Sequence, residues 1–170
     1  METSPKFNIE SSPMREAYLL LNAHTPLELS NRYTEEDQKL MATAKWDYNN
    51  PDLITNKVKE LLENIDPINL TGAENEWRNE ILWFWYHHAI SCAIYRYKDK
   101  LTARSCAKKA LLWQDSNHPN KITRLFDFLL NDDLVGAEDW AGLINKEPER
   151  STARKLIDGY KRGEWFQYSQ

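Results

Sequence analysis

Residues 81–95 read ILWFWYHHAISCAIY, an almost unbroken run of apolar and aromatic side chains inside a helical pattern. Apolar residues occur on every side of a helix here, and such a helix has to be covered on every side. The run is shorter than the roughly 20 residues that a membrane span needs, and it contains His87 and His88. We therefore expect a buried central helix over about residues 73–98.

The composition favours one all-helical domain. The chain has 170 residues, of which 41% are hydrophobic, 12% are aromatic and only five are Gly, a balance that argues against disorder and against an all-β fold. Residues 1–12 contain Pro5 and few apolar side chains, and Pro13 follows them directly, which favours a flexible arm. We predict a single all-α domain over residues 13–170, a helical bundle or short right-handed helical stack of about eight helices.

Pro, Gly and hydroxyl residues mark the helix boundaries along the chain. Between Pro51 and Pro67, for example, Leu, Ile and Val recur at three and four residues, the period of an amphipathic helix. Besides the central helix, the pattern predicts a short helix that begins at Thr25. It also predicts helices over residues 14–24, 34–48, 52–65, 101–113, 122–130, 134–144 and 148–160.

Small residues recur in the central helix and in the helix that follows it. Ser91 is flanked by isoleucines in the first helix, and the second helix has Ala103 and Ala110 seven residues apart. This arrangement over residues 84–117 resembles one helical hairpin of the tetratricopeptide repeat family. The resemblance implies two antiparallel helices that approach each other closely.

The hairpin departs from the family pattern at three positions. Ala107 stands where the family usually has an aromatic residue, Lys98 replaces the usual Gly, and Pro119 comes a few residues late. The resemblance covers one unit, whereas at least about three units are needed to bury a continuous core. Helices that are not repeats must therefore cap the hairpin.

The resemblance also implies a binding face on the first helix. The family's ligand-facing positions fall on Trp85, His88, Cys92, Tyr95 and Arg96. Their spacing places them on one side of the helix, and Trp, Tyr and Arg are enriched in binding hot spots. One hypothesis is that this face lines a groove for another protein. The alternative is that further helices cover the face and that it belongs to the core.

Four side chains could form a Cys2His2 zinc site: His88, Cys92, Cys106 and His118. The set lacks the tight Cys and His pairs that make zinc signatures specific, and buried free Cys is common in packed helices. We therefore expect no metal and no other cofactor. A metal-binding or ligand-binding helical enzyme centred on His88 and Cys92 remains an alternative.

Catalytic and nucleic-acid signatures are absent. The chain contains no G-x-S-x-G elbow, no P-loop and no H-E-x-x-H motif, so we predict no catalytic residue. A formal net charge of −4 gives no attraction to phosphate, and the aromatic run has no interleaved Lys or Arg with which to bind nucleic acid. The aromatic residues expected to pack in the core are Trp77, Trp83, Phe84, Trp85 and Tyr86.

The remaining features favour a binding protein. The amino terminus lacks the basic region and the apolar stretch of a secretory signal, so we expect a cytoplasmic protein that does not associate with a membrane. An acidic helical domain without catalytic signatures offers surfaces more readily than chemistry. We predict an adaptor or regulator that binds another protein and has no catalytic activity. The alternative is a small antagonist, such as an immunity or antitoxin protein.

Overall fold

The computed structural model describes residues 5–21, 35, 52–114 and 120–166. In these ranges the chain forms seven α-helices, two short 3-10 helices and no β-strand, which confirms the all-α prediction. The helices predicted between residues 25 and 48 lie, apart from residue 35, outside the described residues. The α-helices are α1 (Arg15–Leu21), α2 (Asp52–Glu63), α3 (Gly72–Tyr95), α4 (Lys100–Trp113), α5 (Lys121–Leu130), α6 (Leu134–Gly142) and α7 (Glu149–Lys161).

The described residues form two compact units, one up to Arg78 and the other from Asn79 onward, and the boundary between them falls within α3. In the first unit α1 packs against α2. The single domain proposed for residues 13–170 stays a prediction. The buried apolar side chains of the first unit are Met14, Ala17, Leu19, Leu20, Val58, Leu62 and Trp77.

Residues of the predicted arm contact the first turns of α3. Phe7 lies edge-on to Trp77, with the ring centroids 5.9 Å apart, and the Ser12 hydroxyl donates to a Glu74 carboxylate oxygen at 2.7 Å. Thr71 and Glu74 also exchange the reciprocal hydrogen bonds of a capping box. The Ser12 hydrogen bond lowers the pKa of Glu74, so a negative charge stabilises the start of α3. The flexibility of the arm stays a prediction.

The connection between α3 and α4 differs from the expectation by a few residues. Helix α3 ends at Tyr95 and not at Lys98, because Lys98 adopts the left-handed conformation with φ 56°. The Asp99 side chain then accepts a hydrogen bond from the Thr102 amide at 3.0 Å and so caps the start of α4. The predicted end of the central helix is therefore wrong by three residues.

Helix α5 is the centre of the second unit, where it packs against α4, α6 and α7. The Asn120 side chain caps it by accepting from the amides of Ile122 and Thr123 at 2.9 and 3.3 Å. The apolar residues that α5 buries are Ile122, Leu125, Phe126, Leu129 and Leu130. The same core cluster includes, from α3 and α4, Tyr86, Ile90, Ala93, Ile94, Ala103, Cys106, Ala107 and Ala110.

Candidate functional site

One face of α3 is exposed to solvent within the second unit, although the sequence of this helix is apolar on all sides. About half of Phe84 and of Tyr95 is exposed, at 45% and 47%, and His88 is exposed between them. The expectation that the helix is covered on every side is therefore wrong in this region. The residues buried on the opposite side are Tyr86, Ile90, Ala93 and Ile94.

The five residues predicted to line a groove all lie on the exposed side. His88, Tyr95 and Arg96 are exposed, whereas Trp85 and Cys92 are partly buried. Together with Phe84 they span an arc of about 120° around the helix axis. Their role in binding stays a prediction. We call these six residues the α3 face: Phe84, Trp85, His88, Cys92, Tyr95 and Arg96.

The two aromatic residues at the start of the α3 face are anchored differently. The Trp85 ring lies edge-on to Tyr86, with centroids 5.0 Å apart, and packs against the core cluster. Phe84 contacts the edge of Trp83 at 6.4 Å and remains accessible. Its assignment to the core is wrong. Phe84 precedes His88 by four residues, a spacing that places both on the same side of the helix. The sequence interpretation grouped Phe84 with the neighbouring aromatic residues and so assigned it to the core.

The carboxyl-terminal end of the α3 face meets the segment that follows α7. The Tyr95 ring lies edge-on to the buried Trp165, with centroids 6.5 Å apart. Burial raises the pKa of Tyr95, and the Glu164 carboxylate adds to this rise. Tyr95 is therefore a neutral phenol at pH 7, held in place by an aromatic neighbour.

His88 and Cys92 lie side by side, with the His88 Nε2 atom 3.6 Å from the Cys92 Sγ atom. Cys106 belongs instead to the core cluster, and His118 lies outside the described residues. The described part of the chain contains no group of three or more His, Cys, Asp or Glu side chains placed to hold a metal ion. The structure thus brings together two members of the proposed zinc set, which by themselves leave a metal ion without enough protein ligands.

His87 belongs to a partly buried polar cluster that the sequence interpretation missed. Thr123 Oγ1 accepts a hydrogen bond from Trp83 Nε1 at 3.1 Å and lies 2.9 Å from His87 Nδ1. The Thr123 hydroxyl has one hydrogen and two lone pairs, so besides accepting from Trp83 it can form a hydrogen bond with either neutral form of the His87 ring. Burial lowers the pKa of His87, and the neighbouring His88 adds to this effect. This cluster joins α3 to α5 and has a structural role.

No protein-family model, curated protein or solved structure matches this chain. No helix in the described ranges is long and apolar enough to cross a membrane.

Proposed function

We propose that this protein is an adaptor or regulator that binds another protein through the α3 face. The observation that carries this proposal is the exposure of Phe84 and Tyr95 on a helix whose opposite side forms the core. Exposed apolar patches rimmed by polar residues are typical of protein interaction sites. Aromatic residues also provide large contact areas at a small cost in side-chain entropy.

The polar groups of the α3 face indicate what kind of partner it suits. The Arg96 guanidinium stands 5.3 Å from the centre of the Tyr97 ring and forms no ion pair with another described residue. A guanidinium beside aromatic rings can bind a carboxylate while the rings contact an apolar side chain. The partner segment that fits best therefore combines an apolar residue with an acidic one.

The connection after α3 gives this proposal further support. In the tetratricopeptide repeat the two helices are joined by a short turn that usually contains Gly, and here Lys98 occupies that position with φ 56°. This backbone conformation is the one that Gly adopts most readily. Repeats of that family present the first helix of each pair to their ligands, which corresponds to α3 in this chain.

The proposal can be tested by capture followed by measurement of affinity. Immobilised wild-type protein would capture the partner from a cell extract, mass spectrometry would identify it, and calorimetry with purified partner would give Kd. We expect Phe84→Ala and Arg96→Ala each to raise Kd by at least about fivefold, which corresponds to about 1 kcal/mol. Lys155→Ala, at an exposed position of α7, is the control and should leave Kd unchanged.

The affinity of each variant can be interpreted only if the variant is folded. All three variants should keep the helical circular dichroism of the wild type, because the substituted side chains are exposed to a large extent. If Phe84→Ala and Arg96→Ala bind the purified partner as tightly as Lys155→Ala does, the α3 face is not the binding surface.

A further inference from the structure

Helix α4 exposes two leucines on the side that faces away from the core. Leu101 and Leu112 are 78% and 80% exposed. They are eleven residues apart, so they lie on nearly the same line along the helix, and Ser105 and Lys108 lie between them. The side that faces the core carries the small residues Ala103, Ala107 and Ala110.

The charged residues of α4 are all basic. The helix contains three Lys, one Arg and no acidic residue. Lys100 forms an ion pair with Asp132, and Arg104 donates to the Asn131 side chain. Lys108 is exposed and forms no ion pair within the described part of the chain. Its charge is therefore available to another molecule.

Helix α6 has an exposed side of the opposite sign. Val135 in α6 and Leu143 directly after it are 72% and 60% exposed, and the acidic residues Glu138 and Asp139 lie between them in the sequence. Lys121 of α5 donates to the Leu143 carbonyl oxygen at 3.2 Å. Helix α6 itself has no basic residue. Glu138 pairs with Lys161 of α7, whereas Asp139 forms no ion pair with a described residue. An apolar and acidic surface thus lies in the same unit as an apolar and basic one.

We propose that these two surfaces bind each other between copies of this protein. The α4 surface consists of Leu101, Ser105, Lys108, Lys109 and Leu112, and the α6 surface consists of Val135, Glu138, Asp139 and Leu143. The two surfaces are complementary in charge, and each copy of the protein carries both of them. The molecule that fits the α4 surface is therefore the α6 surface of a second copy. The leucines and valine supply the buried area, and the charges set orientation and partner choice.

Two arrangements of the copies follow from this pairing. If the α4 and α6 surfaces of both molecules meet at once, the result is a symmetric dimer with each contact present twice. If only one pair meets, copies add head to tail. Either arrangement requires that the basic surface of one copy contacts the acidic surface of another, and this requirement is what can be tested. The proposal does not depend on a partner at the α3 face.

The test is a charge exchange followed by sedimentation equilibrium. Wild-type protein should self-associate, whereas Lys108→Glu and Asp139→Lys, each studied alone, should associate at least about tenfold more weakly. An equimolar mixture of the two variants should regain association, because an acidic α4 surface then meets a basic α6 surface. Lys155→Glu makes the same change in net charge as Lys108→Glu, but on the exposed side of α7, and should associate like the wild type.

A second pair of variants tests the apolar part of the contact. Leu112→Asn and Val135→Asn replace largely exposed side chains, so we expect both variants to fold and to associate at least about tenfold more weakly than the wild type. A wild type that is monomeric at about 0.5 mM overturns the proposal. So does a mixture of Lys108→Glu and Asp139→Lys that associates no better than either variant alone.

Discussion

Helices α3 and α5 are both rich in apolar residues, yet they present different surfaces to solvent. In α5 the exposed position is charged, at Arg124, and the apolar residues are buried except Phe128, which is partly buried. In α3, Phe84 and Tyr95 are about half exposed while the opposite side is fully buried. Where polar residues mark one side of a helix, the apolar pattern predicts which side is buried. Where a helix is apolar on all sides, the pattern does not show which side is exposed.

The largest expected effect separates the core from the α3 face. Leu125→Ala removes a fully buried side chain of α5 and should lower the free energy of unfolding by about 2–5 kcal/mol. Phe84→Ala removes a larger side chain and should cost less than about 1.5 kcal/mol, because much of the ring already contacts water. Urea unfolding followed by circular dichroism measures both values. Equal losses for the two variants would contradict the contrast between the helices.

The next effect concerns the polar cluster that joins the two helices. Thr123→Val keeps the shape of the side chain but leaves Trp83 Nε1 without its acceptor and His87 Nδ1 without its hydrogen-bond partner. We expect a loss of about 1–3 kcal/mol in the free energy of unfolding. Thr123→Ser keeps the hydroxyl and is the control, with a smaller loss expected. If the Val variant is as stable as the wild type, these hydrogen bonds do not contribute to stability.

The sequence predicted the helices because their signals are local. The segment between Pro51 and Pro67, for example, shows its helix through two Pro and through apolar residues that recur every three and four positions. The spacing from Trp85 to Arg96 likewise grouped the residues of one helix side correctly. The sequence did not show whether that side is covered, because this depends on which other helices pack there.

Contacts distant in sequence were missed for the same reason. His87 and Thr123 are 36 positions apart, and nothing near His87 indicates that a hydroxyl would meet its ring. The exposed side of α4 was also overlooked: the spacing of the alanines places Leu101 and Leu112 on the opposite side of the helix but does not show whether another helix covers them. These features are set by tertiary packing and not by local propensity.

A smaller effect should appear as a pH dependence of stability. Burial lowers the pKa of His87 in the folded protein below the value of about 6.5 in an unfolded chain. As the pH falls, the unfolded state therefore binds a proton at His87 before the folded state does. The contribution of neutral His87 to the free energy of unfolding is complete above about pH 6.5 and is lost as the pH falls from there to the lowered pKa of the folded protein. Unfolding in urea at pH 7.5 and at pH 5.5 measures this loss.

His87→Phe is the variant that isolates this pH dependence, because the new side chain cannot take up a proton. The difference in the free energy of unfolding between the two pH values should be smaller in His87→Phe than in the wild type. Carboxyl groups titrate mainly below about pH 4.5 and contribute little in this interval. A difference that is unchanged in the variant would assign the pH dependence to other groups.

The reactivity of the two thiols tests the exposed α3 face most directly. Cys92 lies partly exposed on that face, whereas Cys106 is buried in the core of the same unit. With a thiol reagent under native conditions, we expect Cys92 to react quickly and Cys106 to react only after unfolding. Cys92→Ser should remove the fast reaction. Protection of both thiols, or a fast reaction that persists in Cys92→Ser, would contradict the proposed orientation of α3.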